Sequence, residues 1–320
     1  MSRRFLIGAI VLIASLALVV AGCGGSKKKS ASSTPAASGT TSTSTSTSSS
    51  NVPTTPIPMP KTKASIAALV PAKIKSKGTL TVAADASYPP NEFIAPDGHT
   101  VIGMDADLAK ALTAVMGLKA NVVNATFATI IPGLQSGKYD LGMSSFGDTK
   151  AREKVVDFVT YLQAGTAFYV KAQGGPTINT LADLCGHAVA VETGTTQLDD
   201  ATKQSKKCTS AGKKAVKVLA FPDQNAANLA LSSGRADVVM ADSPPSEYAV
   251  KQSNGQFKLS GSVYGVVPYG IAIPKGNGMA KPILAAVKEV MADGTYKKIL
   301  TKWGIASAAI SNPKINGAVS

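Results

Sequence analysis

From about residue 65 the chain alternates short apolar runs with stretches of helical period. Residues 79–84 form an apolar run that predicts a strand ending at Asp85. Gly103 leads into a predicted helix with Leu108, Ala111, Leu112 and Val115 on one face, and Asp105 is placed to cap it. Residues 121–123 predict a strand, 130–134 a short helix, and 141–143 a strand that delivers Ser144. A second series predicts strands at 167–170, 188–191, 216–221 and 238–240, the last ending at Asp242. Thr195, Thr196 and Gln197 open one helix of this series, and 225–231 supply another. Residues 269–273 predict a further strand. Ile283, Val287, Val290 and Met291 then share a helix face, and a last short helix carries Tyr296, Ile299, Leu300 and Trp303. Strands alternating with helices imply an α/β class with parallel-rich sheets covered on both faces. About 240 folded residues suit two domains. In such sheets ligands bind beyond the carboxyl ends of strands. Asp85, Ser144, the stretch 192–197 and Asp242 each follow a separate predicted strand.

The residues before 65 follow another pattern. Ser2, Arg3 and Arg4 precede a mostly apolar run over 5–20. As a helix that run spans roughly 24 Å, short of a bilayer core of about 30 Å, and it reads as the apolar part of a signal peptide. Val20-Ala21-Gly22-Cys23 resembles a bacterial lipobox, which implies removal of 1–22 and a lipid on Cys23. Lys27, Lys28 and Lys29 follow, placed to touch anionic head groups. Residues 30–58 are almost all Ser, Thr, Ala and Pro, so the stretch 23–65 reads as anchor and disordered tether with a reach of roughly 35 Å.

Charge follows this division. Residues 1–65 hold seven Lys/Arg and no Asp/Glu, leaving 26 basic against 19 acidic residues in the remainder. Those lysines are dispersed and aromatics make up 5% of the chain, which excludes the basic, aromatic-interleaved stripe of a nucleic-acid binder. Once Cys23 takes lipid, Cys185 and Cys208 remain, 23 residues apart, and in an oxidising compartment they are expected to pair, a closure worth about 3 kcal/mol. His99 and His187 are the only histidines and no metal-ligand spacing occurs. Neither a metal nor another cofactor is expected.

The chemistry concentrates at Met143-Ser144-Ser145-Phe146-Gly147-Asp148-Thr149-Lys150-Ala151-Arg152. Two hydroxyls, free backbone N–H groups and a forked guanidinium suit a carboxylate. The segment Gly103-Met104-Asp105-Ala106-Asp107-Leu108, with Gly194-Thr195-Thr196-Gln197, Gly234-Arg235-Ala236-Asp237 and Ala292-Asp293-Gly294-Thr295-Tyr296, resembles in order and spacing the polar amino-acid binding proteins of ABC importers. These are solute-binding family three, with the two-lobed type II periplasmic-binding-protein fold, and the resemblance covers 76–306.

That resemblance implies two strand crossovers forming a hinge near 163–166 and 262–268. One lobe is then 66–163 plus 269–306, the other 167–262, and 307–320 a C-terminal tail. It further implies that Arg152 clamps an α-carboxylate, with donors from Ser144, Ser145, Gly147 and the Thr196 backbone and with Gln197 nearby. Asp242 would hold the α-ammonium, Tyr88 and Phe127 would wall the side chain, and Asp85 would face its far end beside Glu192. Read as residues alone, Asp242 could instead cap a helix at Ser243, Asp85 belong to a turn, Phe127 to the core and Glu192 to solvent. Gly147 stands where the family often has Ser or Thr, and Asn91 where it often has Phe, so one side-chain donor is lost and the far end differs. After the zwitterion is matched, Asp85 and Glu192 remain as surplus acids, which favours a basic or amide side chain. The implied partners are a free amino acid and a membrane permease, met by a monomer without catalysis. A dehydratase of the same fold or a lipoprotein sensing for a receptor are the alternatives.

Overall fold

The computed structural model describes residues 52–53 and 55–319. The expected leader 1–22, Cys23 and the tether up to 51 lie outside the described residues. No described helix is long and apolar enough to cross a membrane.

The tether expected through residue 65 gives way to packed chain by Val52. Val52 and Ile57 lie against the main core, the hydroxyl of Thr62 donates to the Ala114 carbonyl (3.1 Å), and Lys63 N–H donates to Val115 O (2.9 Å). Their apolar residues are too sparse to register as a pattern, yet each covers core surface that would otherwise face water. The helices α1 (Ala64–Ala67) and α2 (Ala72–Lys77) follow.

Strand β1 (Thr79–Ala84) matches its prediction residue for residue. Then β2 (Ser87–Tyr88), β3 (Glu92–Ile94) and β4 (Val101–Ile102) form a small antiparallel sheet too short for a pattern to reveal. Helix α3 (Met104–Val115) buries the expected face at Leu108, Ala111, Leu112 and Val115. Each large aliphatic side chain so buried stabilises by about 1.5–3 kcal/mol. Asp105 does not cap this helix: the N-cap is Gly103, without a side-chain bond, and Asp105 is buried with Oδ2 accepting from Ser145 N–H (3.0 Å). Its position in the first turn points it at the back of the serine turn.

The chain continues through β5 (Lys119–Asn124), α4 (Phe127–Gln135), β6 (Leu141–Gly142), α5 (Lys150–Glu153) and β7 (Val156–Lys171). Next come β8 (Ala188–Glu192), α6 (Thr196–Ser210), β9 (Lys217–Phe221), α7 (Gln224–Ser232), β10 (Val238–Asp242) and α8 (Ser243–Gln252). It finishes with β11 (Phe257–Pro274), α9 (Ala280–Ala292) and α10 (Thr295–Lys302). Residues 310–318 then run back over β7, where Ile315 bridges Val159. Cys185 and Cys208 are joined as a disulfide with 5.7 Å between Cα atoms, tying the far end of α6 to the loop before β8.

Eight strands make one sheet in the order β5-β1-β6-β11-β7-β10-β8-β9. Its two flanks, β5-β1-β6 and β10-β8-β9, are parallel, as alternation with helices predicts. The centre is an antiparallel ribbon of the 16-residue β7 and the 18-residue β11. Its pairing slips between Ser260 and Tyr264, Tyr264 and Val267, and Tyr269 and Gly270, the stretch where crossings were expected. One core gathers β1, α3, α9 and α10; others gather around β8, β10, α6 and α7.

Candidate functional site

Where the two flanks face one another, a narrow cavity is lined by all eleven residues expected from the sequence. Asp85, Tyr88, Phe127, Ser144, Ser145, Gly147 and Arg152 come from the first flank and its turns. Glu192, Thr196, Gln197 and Asp242 come from the second. Glu92, Thr195 and Val267 complete the lining and were not anticipated.

Arg152 stands on the one-turn helix α5, whose N-cap Thr149 accepts the Arg152 N–H through Oγ1 (3.3 Å). Its guanidinium lies over the rings of Phe127 and Phe146, 5.4 and 5.5 Å from their centroids, and those rings stack on each other at 4.5 Å. Phe127 is thus partly core and partly a floor for the cation. Nη1 donates to Gly147 O (2.9 Å) and Nη2 to Gly194 O (3.0 Å), the latter across the cleft. Among the described residues two of the five guanidinium donors are engaged, which leaves three for an anion. Burial pulls the Arg152 pKa down, and Asp242, Asp199 and Asp148 offset that pull.

The two serines sit differently from expectation. Ser144 Oγ accepts from Asp85 N–H (2.8 Å) and donates to Glu92 Oε1 (3.2 Å). Ser145, at φ +52°, has an Oγ that accepts from Asn91 Nδ2 (2.9 Å) and donates to Glu92 Oε2 (3.2 Å). Both hydroxyls are engaged with the wholly buried Glu92. Burial, then the neighbouring Asp105, pushes the Glu92 carboxyl well above its ordinary range, and Asp105 itself is raised by burial to about 6. Glu92 gave no signal in the sequence, since it opens a three-residue strand just after the two-proline turn, too short for any periodicity.

Asp85 accepts from Ser87 Oγ (2.7 Å) and from Phe127 N–H (2.8 Å), so it caps α4 from outside that helix. Its turn role and its place in the cavity therefore coexist. Glu192 is buried rather than solvated, and its Oε1 has no partner among the described residues. Burial, and then the Asp85 carboxylate within hydrogen-bonding reach, push Glu192 up to about 10.

Asp242 occupies the N-cap position of α8 without making the cap bond. Its carboxylate instead accepts from Gln197 Nε2 (2.7 Å) and Tyr269 OH (2.6 Å), while its N–H donates to Tyr88 OH (2.8 Å). Gln197 also donates to Thr166 Oγ1 (2.9 Å). The side chain of Gln197 thus orients Asp242 at the cavity wall. Thr195 caps α6 by accepting from Leu198 N–H (3.2 Å), which leaves the first amides of this 15-residue helix at the cavity wall, positive end inward. The flanks meet once more where Gln224 N–H donates to Ser87 Oγ (3.0 Å).

One guanidinium and a helix N-terminus thus face four carboxyl groups, those of Asp85, Glu92, Glu192 and Asp242. The arrangement suits a small molecule with one anionic group and at least one cationic or donor-rich group. Among the described residues no three His, Cys, Asp or Glu side chains are grouped to hold a metal ion.

Residues 80–306 match the model of the bacterial extracellular solute-binding proteins, family 3. The arginine-binding protein ArgT of Corynebacterium glutamicum is 34% identical over 252 residues, which is 78% of this chain and 82% of that protein. Solved structures of an ancestral arginine-binding protein, one bound to arginine and one to glutamine, are 39% identical. They superpose with TM-scores of 0.65 and 0.64 over 71% of this chain and 98% of theirs. Matched over most of its described length in sequence and in its two-lobed architecture, the chain belongs to the bacterial extracellular solute-binding proteins of family 3.

Proposed function

We propose that this protein captures a free amino acid with a basic or amide side chain, arginine or glutamine first, and presents it to an ABC importer permease. The observation that carries this reading is the pairing of Arg152 and Asp242 from opposite lobes around one cavity with surplus carboxyl groups. Arg152 clamps the α-carboxylate with the α6 amides, Asp242 receives the α-ammonium, and Asp85 and Glu192 face the side chain. The lobes are taken as 66–163 plus 269–306 and 167–262. A ligand touching both favours the closed form, so closure follows from differential affinity. The relatives named above are binding proteins, which supports capture over catalysis. Anchoring through Cys23 after removal of 1–22 would hold the receptor outside the cell membrane.

A thermal-shift screen against the twenty amino acids, after unfolding to strip carried-over ligand, tests the reading. Stabilisation of about 2.7 kcal/mol at a hundredfold excess over Kd is expected for arginine or glutamine. A response confined to aspartate or glutamate would refute the pocket electrostatics, and silence across all twenty would refute capture of a protein amino acid.

Closure also makes a local demand. Gly194 sits at φ +85°, and a Cβ there would lie 3.1 Å from the Cα and Cβ of Ala128 on the other lobe. Gly194→Ala is expected to weaken binding of arginine and glutamine by roughly tenfold, because the close contact with Ala128 acts only when the lobes meet, whereas the backbone strain is present in both forms. Affinity within twofold of the unmodified protein, measured by calorimetry, would show that the lobes do not approach this closely.

A further inference from the structure

The chain after α10 is too well bonded to be a loose tail. Lys314 N–H donates to Thr160 Oγ1 (2.8 Å), and Thr160 N–H donates to Lys314 O (2.9 Å). Asn316 N–H donates to Phe158 O (3.0 Å), and Phe158 N–H donates to Asn316 Oδ1 (2.8 Å). These four bonds lock the segment to β7. The next two residues leave β7 and reach the turn that carries the guanidinium. Gly317 N–H donates to Asp148 Oδ2 (2.7 Å), and Ala318 N–H donates to Glu153 Oε1 (3.0 Å).

Asp148 and Glu153 bracket Arg152 on both sides. Asp148 is fully buried, and Gly317 N–H is the one donor its carboxylate has among the described residues. Its own N–H donates to Pro268 O on β11 (2.8 Å). The preceding residue, Gly147, offers the carbonyl that holds Arg152 Nη1 (2.9 Å). A Cβ at Gly317 would stand 2.8 Å from Thr160 Cγ2, so the approach to Asp148 needs a residue without a side chain. A buried carboxylate without a donor is costly, and a turn carrying one would relax.

We infer that residues 314–318 are a strap that, through Asp148, fixes the peptide between Gly147 and Thr149 and so positions the Arg152 guanidinium for its anion. Asp148 and the strap are positioning groups and touch no ligand themselves. The inference rests on Arg152 being the carboxylate clamp proposed above.

Three variants of the full chain test it: a stop after Ser311, Asp148→Ala, and Asp148→Asn, which keeps an acceptor for Gly317. Calorimetry with arginine and with glutamine reads affinity, and amide hydrogen exchange of residues 147–153 in the ligand-free protein reads the turn. The stop and Asp148→Ala should weaken both amino acids by the same factor, roughly tenfold. Exchange at 147–153 should quicken, and Asp148→Asn should recover most of both. In an Arg152→Lys background the stop should cost less than threefold, since the group it positions is already gone. The proposal is overturned if the stop lowers Tm but leaves both affinities within twofold. It is equally overturned if the loss is as large with Arg152→Lys as without it. Should the unmodified chain bind neither amino acid, the functional reading fails on its own, and unchanged exchange at 147–153 would then overturn the strap separately.

Discussion

Arg152→Ala is expected to weaken arginine and glutamine alike by about 2–5 kcal/mol, roughly thirtyfold to several thousandfold. The guanidinium is held over Phe127 and Phe146 and pinned by the Gly147 carbonyl of its own lobe, so its free donors are aimed before the ligand arrives. Both amino acids carry the same α-carboxylate, so the loss should not change their ratio. The substitution also removes the cation that counters the pull of burial on Asp242, whose carboxyl is already raised. Arg152→Lys keeps a charge but not the planar fork, and should recover only part of the loss. Calorimetric titration decides it: a loss below threefold for either amino acid would remove Arg152 from the anion site.

The preference for arginine over glutamine is expected to rise with pH, by up to about tenfold per unit between pH 6 and 8. The cause is Glu192. Where no cation faces it, burial and Asp85 hold its carboxyl near 10, so it is protonated at neutral pH. A guanidinium beside it would favour the ionised form and return it toward the ordinary carboxylate range. The glutamine complex therefore carries up to one more proton than the arginine complex. Raising the pH penalises the complex with more protons, so glutamine loses ground in the window between the ordinary glutamate pKa and about 10. The comparison is between two closed complexes and does not depend on how open the empty protein is. Glu192→Gln should flatten the trend and lower arginine affinity selectively. A ratio constant within twofold from pH 6 to 8 would place the arginine side chain away from Glu192.

The sequence revealed the cavity's lining better than the buried acids behind it. Asp85, Ser144, Glu192 and Asp242 were legible because each closes an apolar run, and strands of a parallel flank deliver their last residues to one edge. Arg152 stood out in the polar stretch behind Ser144 and took its role from the family resemblance. Glu92 and Asp105 were illegible as a buried pair because their contact joins a turn to a helix start, and no local period encodes it. The serine hydroxyls were assigned to a ligand because the acid they bond lies about fifty residues earlier in the chain. The lengths of β7 and β11 were underestimated for another reason. Gln163, Gly165, Ser260 and Gly261 interrupt the apolar alternation along the stretch where the pairing of the ribbon slips.

The route of the chain through the two cores sets an order of assembly. The core around β8 and β10 draws its main cluster from residues between 168 and 240, with Tyr264 packed against it. It can therefore form as soon as one uninterrupted stretch has emerged. The larger core begins at Ile66 and closes only with Ile305, so half of it waits while the other half is still being delivered. Residues 314–318 arrive later still and complete the bracing of the Arg152 turn. A nascent chain thus gains the half that carries Asp242 first and the bracing of the Arg152 turn last.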